Sequence, residues 1–391
     1  MDGEGVRLAA YSDLEYFHSA GRVATDESFL VFMAELRPSF RSLIVVGRAR
    51  DGAGGTYAVP DDVEFVALPD YPSLSRPLGA ARAARGTLRA FARVLDRVDA
   101  VWLLGPHPFA IAFALQALAR RRAVVLGVRM DFPAHMRARH PGRRWLLAAA
   151  AVLDGAWRAL GRLAPVVTVG GELARRYRRA RRVLPVSVSL VRAADLAAMP
   201  ARDGRPAGEP FRVLSVGRVD PEKNPLLLAD ILAALVERGV DSRLVVCGEG
   251  SMTGALGARL DELGVGGRAQ LRGHVGLDEL GALYRESDAF LHVSWTEGVP
   301  QVLFEAFAAA LPVVATDVGG VAEQAGDAAL LVEPGRADQA AGALARLAGD
   351  AALRAALAGR GLARVRERTL EAEAARVARF IAQATPGARR H

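Results

Sequence analysis

Short apolar runs rich in Val, Ile and Leu alternate along the whole chain with longer segments of helical periodicity. Runs of this kind bounded by turn residues are typical of buried strands. Since they are hydrophobic at nearly every position, they favour parallel sheets covered on both faces. In the first half of the chain the predicted strands are 7–12, 42–49, 63–69, 100–105, 123–128, 166–171 and 186–191, and the predicted helices include 27–36, 78–95 and 109–120.

A polar segment, 193–210, interrupts this alternation with three prolines and two glycines, and such a composition is typical of a linker. The alternation then restarts. The predicted strands are 211–219, 243–248, 270–275, 289–294, 312–317 and 328–332, the predicted helices include 225–238, 277–285, 301–310 and 338–347, and residues 351–383 are almost wholly helix-forming. We therefore predict an α/β protein with two doubly wound, Rossmann-like domains, 1–192 and 211–365, joined by the linker 193–210.

The composition is that of a globular protein with an excess of basic residues. Hydrophobic residues make up 51% and charged residues 24% of the chain, and the formal net charge is +8. That charge is compatible with an anionic partner such as nucleic acid, a membrane surface or a phosphorylated substrate. However, lysine and asparagine occur once each, at Lys223 and Asn224, which indicates a coding bias toward arginine. The bias weakens the nucleic-acid interpretation and makes Lys223 a candidate functional residue.

Cysteine use and the length of the apolar runs bear on the cellular compartment. The single cysteine, Cys247, excludes an internal disulfide framework and a Cys-based zinc site. The N-terminal residues lack the apolar core of a secretory signal. The best apolar stretch, 146–153, is far shorter than the roughly 20 residues needed to span a membrane. We expect a soluble, cytoplasmic protein.

Two cations follow the first strand of the second half. The predicted strand 211–219 runs into a loop that carries Arg218, near its end, and Lys223, and Pro225 stands where a helix tolerates proline best. An arginine fork and a lysine ammonium at a strand end are suited to holding a diphosphate. The alternative is solvated surface charge paired with Asp220 or Glu222.

Two carboxylates follow the strand 289–294. Glu297 lies in a glycine-containing loop and Glu305 lies just over one turn inside the next helix. Free N–H groups at a helix start can hold an oxyanion, and carboxylates are good partners for the vicinal hydroxyls of a sugar. The alternative for Glu305 is a glutamate that complements the helix dipole. Two shorter patterns, the glycine turn at 247–250 and the strand exit at 271–275, are weak signals by themselves.

Taken together in order, these motifs resemble the donor domain of family 4 glycosyltransferases, which are retaining enzymes of the GT-B fold. The resemblance extends over 213–323 and rests on Gly217-Arg218 with Lys223, Gly248-Glu249-Gly250, Gly273-His274-Val275, Ser287-Asp288-Ala289, Glu297-x7-Glu305, the run 306–316, and Gly319-Gly320 with Glu323. Several motifs in the family's order are a far stronger signal than any one of them. The resemblance implies GT-B architecture, with two Rossmann-like domains facing each other across a cleft and with 366–391 crossing back to the N-terminal domain.

The resemblance also implies roles for individual residues. Arg218 and Lys223 match the pair that binds the donor diphosphate, and Glu297 matches the residue that faces the transferred sugar. Glu305 matches the residue that holds the ribose hydroxyls. The further donor-binding positions implied are Gly217, Gly248, Val275, Gly298, Val299, Pro300 and Gln301. In this family the leaving phosphate is thought to accept the acceptor proton on the front face, and no cofactor or metal is expected, since the chain has no Asp-x-Asp motif.

The first half resembles the family less. Family members have a glycine-rich loop after the first strand that approaches the diphosphate. Residues 16–22 occupy the corresponding position in this chain, and Gly21 is the candidate for this contact. Family members typically place a histidine beside the acceptor hydroxyl, and the candidates are His107 and His135. Arg129 and Asp131 follow a strand where that histidine often lies, which predicts a departure from the family's pattern there.

The arginine-rich run 175–182 has two interpretations. In related enzymes a basic face on the acceptor domain docks on anionic membrane, so that a lipid-linked acceptor and peripheral contact with the inner face of the membrane are conceivable. The simpler interpretation, which we favour, is a solvated helix in an arginine-biased chain. The run lacks the interleaved aromatic residues of a nucleic-acid module.

The sequence thus predicts a metal-independent, retaining glycosyltransferase that moves a hexosyl-type sugar from a nucleotide diphosphate sugar, with UDP as the default nucleotide. The sequence does not distinguish a small molecule, a glycan or a lipid-linked compound as the acceptor. It does not indicate the oligomeric state either. Two other classes stay in consideration. One is a GT-B nucleotide-sugar 2-epimerase, and the other is a noncatalytic nucleic-acid or membrane-surface binder.

Overall fold

The computed structural model describes residues 5–19, 21–52, 54–70, 77–140, 142–198 and 208–385. The chain divides into two compact units. The first unit contains residues 1–188 and 370–391, and the second contains residues 189–369.

The first unit is built on a mostly parallel sheet, which has nine strands in the part of the chain described. They are β1 (Arg7–Ser19), β2 (Arg22–Thr25), β3 (Ser42–Asp51), β4 (Tyr57–Ala58), β5 (Glu64–Leu68), β6 (Ala100–Gly105), β7 (Ala123–Val128), β8 (Val166–Val169) and β9 (Val183–Val186). The parallel strands follow the order β5-β3-β1-β6-β7-β8-β9, so that β1 and β6 are neighbours although 80 residues separate the end of β1 from the start of β6. The sheet order reverses direction between these two strands, as in other doubly wound sheets.

Strand β1 is longer than predicted. Instead of a loop at 16–22, the strand continues to Ser19 after an irregularity between Tyr11 and Glu15, and it pairs with β2 as an antiparallel hairpin. Gly21 lies in the turn of this hairpin with a φ of 77°, a conformation that glycine adopts readily. The expected glycine-rich loop is therefore a hairpin turn.

Helices cover both faces of the first sheet. In the first unit they are α1 (Phe29–Ala34), α2 (Pro77–Leu95), α3 (Pro108–Ala119), α4 (Phe132–Arg139), α5 (Arg144–Gly161) and α6 (Gly171–Arg176). Alternate residues of β1 join two separate cores, with Leu8 and Ala10 in one and Ala9 and Tyr11 in the other. This two-sided burial explains why the central parts of the strands are apolar at consecutive positions.

The second unit contains a parallel sheet of six strands within the described residues: β10 (Phe211–Val216), β11 (Ser242–Cys247), β12 (Ala269–Gly273), β13 (Ala289–His292), β14 (Val313–Thr316) and β15 (Ala329–Val332). Their order is β12-β11-β10-β13-β14-β15. Around this sheet the chain forms α7 (Ala193–Ala198), α8 (Leu226–Glu237), α9 (Thr253–Glu262), α10 (Leu277–Glu286), α11 (Gln301–Ala308), α12 (Val321–Ala325), α13 (Ala337–Gly349) and α14 (Ala351–Arg366).

A last helix, α15 (Leu370–Ala384), belongs to the first unit, where Leu370, Val377 and Ile381 join the buried core that also contains Leu8. The helix-forming stretch 351–383 is thus two helices, which belong to different units. The buried carboxylate of Glu373 accepts the backbone N–H of Ser187 at 3.1 Å and the guanidinium of Arg376 at 2.6 Å, so that its charge is compensated.

The structure differs from the prediction at the passage between the units. The strand predicted at 186–191 ends at Val186, and beyond it the Ser189 hydroxyl accepts the backbone N–H of Val191, which turns the chain into the second unit. The linker predicted at 193–210 begins with α7, and its residues 199–207 lie outside the described part. None of the helices in the described residues has the length and apolar character needed to cross a membrane.

Candidate functional site

The sheet order of the second unit determines where its polar loops meet. β10 and β13 are neighbours and parallel, and the helices that follow them pack on opposite sides, which makes this pair the switch point of the sheet. Ligands of doubly wound sheets bind at the carboxyl ends of the strands at such a point. The loop after β10 carries Arg218 and Lys223, and the loop after β13 carries Glu297.

Lys223 and Glu297 form an ion pair across the switch point, with 2.5 Å between Nζ and Oε1. Lys223 ends a short 3₁₀ turn, Pro221–Lys223, and the next residue, Asn224, has a positive φ of 51° that redirects the chain into α8. The lysine side chain is 24% exposed and the glutamate only 8%. This pair links two residues that are 74 positions apart in the sequence.

Two further polar groups contact the same oxygen of Glu297. The Ser294 hydroxyl donates to Oε1 at 2.7 Å, and Nε2 of His292 lies 3.1 Å from it. Burial by itself raises the pKa of Glu297, but His292 and Lys223 together outweigh burial and lower this pKa to about 2. Glu297 is therefore a carboxylate at neutral pH.

Sequence reasoning missed the groups that hold Ser294 and Glu297 in place. The Thr316 hydroxyl accepts the Ser294 N–H at 3.0 Å and donates to the Ser294 carbonyl at 3.1 Å, and both residues are fully buried. His292 is also buried, at the last position of β13. A signal was present in the sequence, since polar residues at the ends of two otherwise apolar strands require partners when buried.

Four glycines allow the loops of the site to approach each other. A Cβ on Gly319, which has a φ of 52°, would lie 1.9 Å from the Glu297 carbonyl oxygen, and one on Gly320 would lie 2.2 Å from the Gly298 oxygen. On the other side, a Cβ on Gly248 or Gly250 would collide with the backbone of the β10 loop. A side chain at Gly319 or Gly320 would displace the loop that carries Glu297, and one at Gly248 or Gly250 would displace the loop that carries Lys223.

Arg218 is 61% exposed and pairs with two carboxylates of its own loop, Asp220 at 2.6 Å and Glu222 at 2.5 Å. Asp220 also accepts the backbone N–H and the hydroxyl of Ser251, both at 3.0 Å, and the first of these bonds is the main reason why its pKa is lowered. The Glu222 carbonyl accepts the backbone N–H of Trp295 at 2.9 Å. The structure thus shows Arg218 paired with Asp220 and Glu222 at the surface, which was the alternative to a role in diphosphate binding.

Glu305 lies on α11 and accepts the hydroxyl of the buried Tyr284 at 2.9 Å. Burial raises the pKa of Glu305, while the Tyr284 hydrogen bond acts in the opposite direction. Tyr284, on α10, is a second contact that sequence reasoning missed, because nothing in the local pattern relates α10 to α11.

A pocket of about 230 Å³ opens at the switch point. Five of the predicted donor-site residues line it: Gly217, Arg218, Lys223, Pro300 and Gln301. Of the other predicted donor-site residues, Gly21 lies in the first unit, and Gly248, Val275, Glu297, Gly298, Val299 and Glu305 belong to the same unit as the pocket. Gly298 and Val299 lead into α11, Gly248 follows β11, and Val275 lies between β12 and α10.

The acceptor-side candidates lie in the first unit. His107 is buried after β6, at that sheet's own switch point, with Nδ1 3.3 Å from the Tyr11 hydroxyl and Nε2 3.2 Å from Asp13. Burial lowers the pKa of His107, against the opposing effect of Asp13, whose carboxylate also pairs with Arg48 at 3.0 Å. Asp13 and Arg48 were not among the predicted residues.

The other acceptor-side candidates have structural partners. The Arg129 guanidinium lies over the Phe29 ring, 4.3 Å from its centroid. Asp131 caps α4 by accepting the Ala134 N–H, and it pairs with Arg176. His135 is exposed on α4. The described residues contain no group of three or more His, Cys, Asp or Glu placed to hold a metal ion.

The second unit matches the model of a known protein family. Residues 198–363 match the family model described as Glycosyl transferases group 1. The D-inositol 3-phosphate glycosyltransferase of Actinosynnema mirum is 39% identical over 162 residues, and the enzyme of the same name from Rhodococcus opacus is 36% identical over 155 residues. These matches cover 39% and 35% of the two relatives, so the chain spans less than two fifths of their length.

Solved structures match nearly the whole chain. Sucrose-phosphate synthase from Thermosynechococcus elongatus has a TM-score of 0.70 at 19% identity and covers 97% of this chain and 98% of its own. HepE of Anabaena, solved in complex with UDP and glucose, has a TM-score of 0.67 at 17% identity and covers 97% of this chain and 98% of its own. At these identities the likeness shows the fold, which is that of GT-B glycosyltransferases, as predicted.

Proposed function

Because residues 198–363 belong to the glycosyl transferases group 1 family, we propose that the chain transfers a sugar from a nucleotide diphosphate sugar to an acceptor hydroxyl. The observation that supports this most directly is the Lys223–Glu297 pair at the switch point of the second sheet. It combines a cation for the diphosphate with a carboxylate for sugar hydroxyls, at the edge of the sheet where ligands of such folds bind.

The lowered pKa of Glu297 defines what this carboxylate does in the reaction. With a pKa of about 2 it is a poor general acid or base near neutral pH, because an effective one has a pKa close to the working pH. It is instead a permanent hydrogen-bond acceptor. In the proposed reaction it accepts hydroxyls of the transferred sugar and orients Lys223.

The chemical step proceeds with retention. The bond between the anomeric carbon and the β-phosphate oxygen breaks, and the acceptor oxygen bonds to the anomeric carbon on the same face. The acceptor proton passes to the leaving phosphate oxygen, so the nucleoside diphosphate departs and no protein group has to take the proton. Lys223 and Arg218 stabilise the negative charge that develops on the diphosphate, which is the largest task of such a site.

The same two cations let the reaction proceed without a divalent metal. Magnesium in nucleotide sites neutralises phosphate charge, and here an ammonium and a guanidinium take that role. UDP is proposed as the nucleotide, in line with the complex of HepE with UDP and glucose. Glu305, on α11, accepts the ribose hydroxyls.

The first experiment is a thermal-shift panel of UDP, GDP, ADP and dTDP, each with and without EDTA. A nucleotide at one hundred times its Kd adds about 2.7 kcal/mol to the free energy of unfolding, which raises the melting temperature measurably. The expected result is stabilisation by UDP that EDTA does not change. If no nucleotide stabilises the protein at millimolar concentration, the donor site is wrongly assigned.

Lys223→Ala tests the site itself. Losing one charge-assisted contact to the diphosphate costs about 1.5–3 kcal/mol, so turnover of UDP-sugar should fall about ten- to a hundredfold. The matched control is Arg268→Ala, which removes an exposed cation of the same unit, paired with Asp241 at 2.6 Å at the amino end of β12. Equal turnover in both variants would contradict the proposal, and an epimerised sugar formed without acceptor would indicate an epimerase.

A further inference from the structure

A second polar pocket, of about 240 Å³, lies in the first unit beside α5 and α6. Four arginines line it. Arg158 and Arg162 come from the last turn and the end of α5, and Arg176 and Arg179 come from the end of α6 and the turn after it. The neutral part of the lining consists of Gly155, Ala159, Tyr177 and Ala180. The proposed donor site involves none of these residues.

The charge of this pocket is only partly compensated by the protein. Arg176 pairs with Asp131 and, at 2.8 Å, with the buried Asp154. Within the described residues, by contrast, Arg158, Arg162 and Arg179 form no ion pair, and all three are exposed. Three like charges around one concavity make its electrostatic potential positive, which favours the entry of an anion.

The pocket is also held in a fixed shape. Tyr177 is 3% exposed, and its hydroxyl donates to Asp154 at 3.4 Å. Because Asp154 also binds Arg176, the floor of the pocket is tied to the interior of α5. Guanidinium groups present several N–H donors in a planar fork, a geometry that matches the oxygens of a phosphate.

We propose that this arginine pocket, defined by Arg158, Arg162, Arg176 and Arg179, binds a phosphate-bearing ligand. Two sources share that chemistry, a soluble phosphate ester and the headgroup of an anionic lipid. Apolar side chains are also exposed on α5 and just after it, with Val152 70% and Leu163 61% exposed, so the lipid source is tested alongside the soluble one.

The test compares two double variants of the full chain. Arg158→Gln/Arg162→Gln removes two charges from the pocket. The control, Arg85→Gln/Arg89→Gln, removes two exposed charges at the same spacing from α2, outside the pocket. Binding of inorganic phosphate and pyrophosphate is measured by titration calorimetry, and binding to vesicles of phosphatidic acid or of phosphatidylcholine by co-sedimentation. Both variants keep Lys223 and Arg218, so any binding at the proposed donor site is the same in each.

The expected result is that the pocket variant weakens pyrophosphate binding about tenfold, as loss of a charge-assisted contact does, while the control variant binds like wild type. If the pocket variant instead loses only its binding to phosphatidic acid vesicles, while the control variant keeps it, the result would support the pocket with a lipid headgroup as the ligand. Equal losses in both variants would assign the binding to overall charge and overturn the proposal. It is likewise overturned if wild type binds neither the millimolar phosphates nor the vesicles, or if vesicle binding is the same in both variants and no phosphate binds.

Discussion

The charge of Glu297 is the feature of the site most open to a quantitative test. Glu297→Gln keeps the size of the side chain and its place beside Ser294 and His292, but it removes the negative charge that faces Lys223. The protonated acid and the amide are close to isosteric. The variant therefore imitates the state that the wild-type protein reaches only in strong acid.

The magnitude follows from the pKa. A lowering from 4.5 to about 2, at about 1.4 kcal/mol per pH unit, corresponds to about 3 kcal/mol of stability at neutral pH. Since the pKa is lower in the folded than in the unfolded chain, this stability is fully present above pH 4.5 and is lost as the pH falls toward 2. By pH 3 about half of it should be gone. With only 8% of the side chain exposed, solvent screening removes little of the effect.

The assay is urea unfolding of wild type and variant at pH 7, 5 and 3, followed by far-UV circular dichroism. Other carboxylates titrate equally in both proteins, so they cancel in the difference. The control Glu262→Gln removes a 66% exposed carboxylate that pairs with Arg259, and it should change the free energy of unfolding by less than about 1 kcal/mol at every pH. A difference between wild type and Glu297→Gln that is the same at pH 7 and pH 3 would refute the reasoning.

Two further predictions concern the surroundings of the site. Gly319→Ala should lower the free energy of unfolding, measured by thermal unfolding, by about 3 kcal/mol, because Gly319 has a positive φ and lies against the Glu297 carbonyl. The control Gly342→Ala, on an open face of α13, should be neutral or slightly stabilising. Tyr284→Phe should raise the pKa of Glu305 further, because it removes the hydrogen bond that lowers this pKa. As the pH is lowered from 8 to 5, the UDP affinity measured by calorimetry should therefore begin to fall at a higher pH than in wild type, and it should be about tenfold weaker at the acidic end. A pH profile that matches wild type would contradict the role of Glu305.

Individual strands and helices could be predicted from the sequence where the pattern of their own residues determines them. A run such as 100–105 is apolar because it is buried on both faces, so its pattern alone predicts a strand, and β6 (Ala100–Gly105) agrees with it. The helices α4 and α5 were not named among the predicted elements. α4 has no clear apolar stripe, whereas α5 does bury Ala150, Trp157 and Leu160 along one face. The hairpin turn at Gly21 was missed because a polar stretch after a strand suggests a loop as readily as a paired strand.

The site itself could be predicted only as separate loops. Lys223 and Glu297 were each assigned to a strand end, but their pairing depends on β10 and β13 being neighbours, and strand order is a property of the whole sheet. His292 and Thr316 escaped notice because a single polar residue at a strand end looks like any other edge position. Only the packed sheet shows that both are buried near Glu297 or its neighbour.

Both cations of the proposed donor site are already paired with carboxylates, and this divides their tasks. Arg218 is largely exposed, so exchanging Asp220 and Glu222 for phosphate oxygens in water costs little. Breaking the mostly buried pair of Lys223 with Glu297 would cost several kcal/mol. An ammonium has three N–H donors, however, and only one is needed for Glu297. Lys223 can therefore keep Glu297 oriented toward the sugar and offer its remaining donors to the diphosphate, a combination that gives a physical reason for the single lysine of an arginine-rich chain.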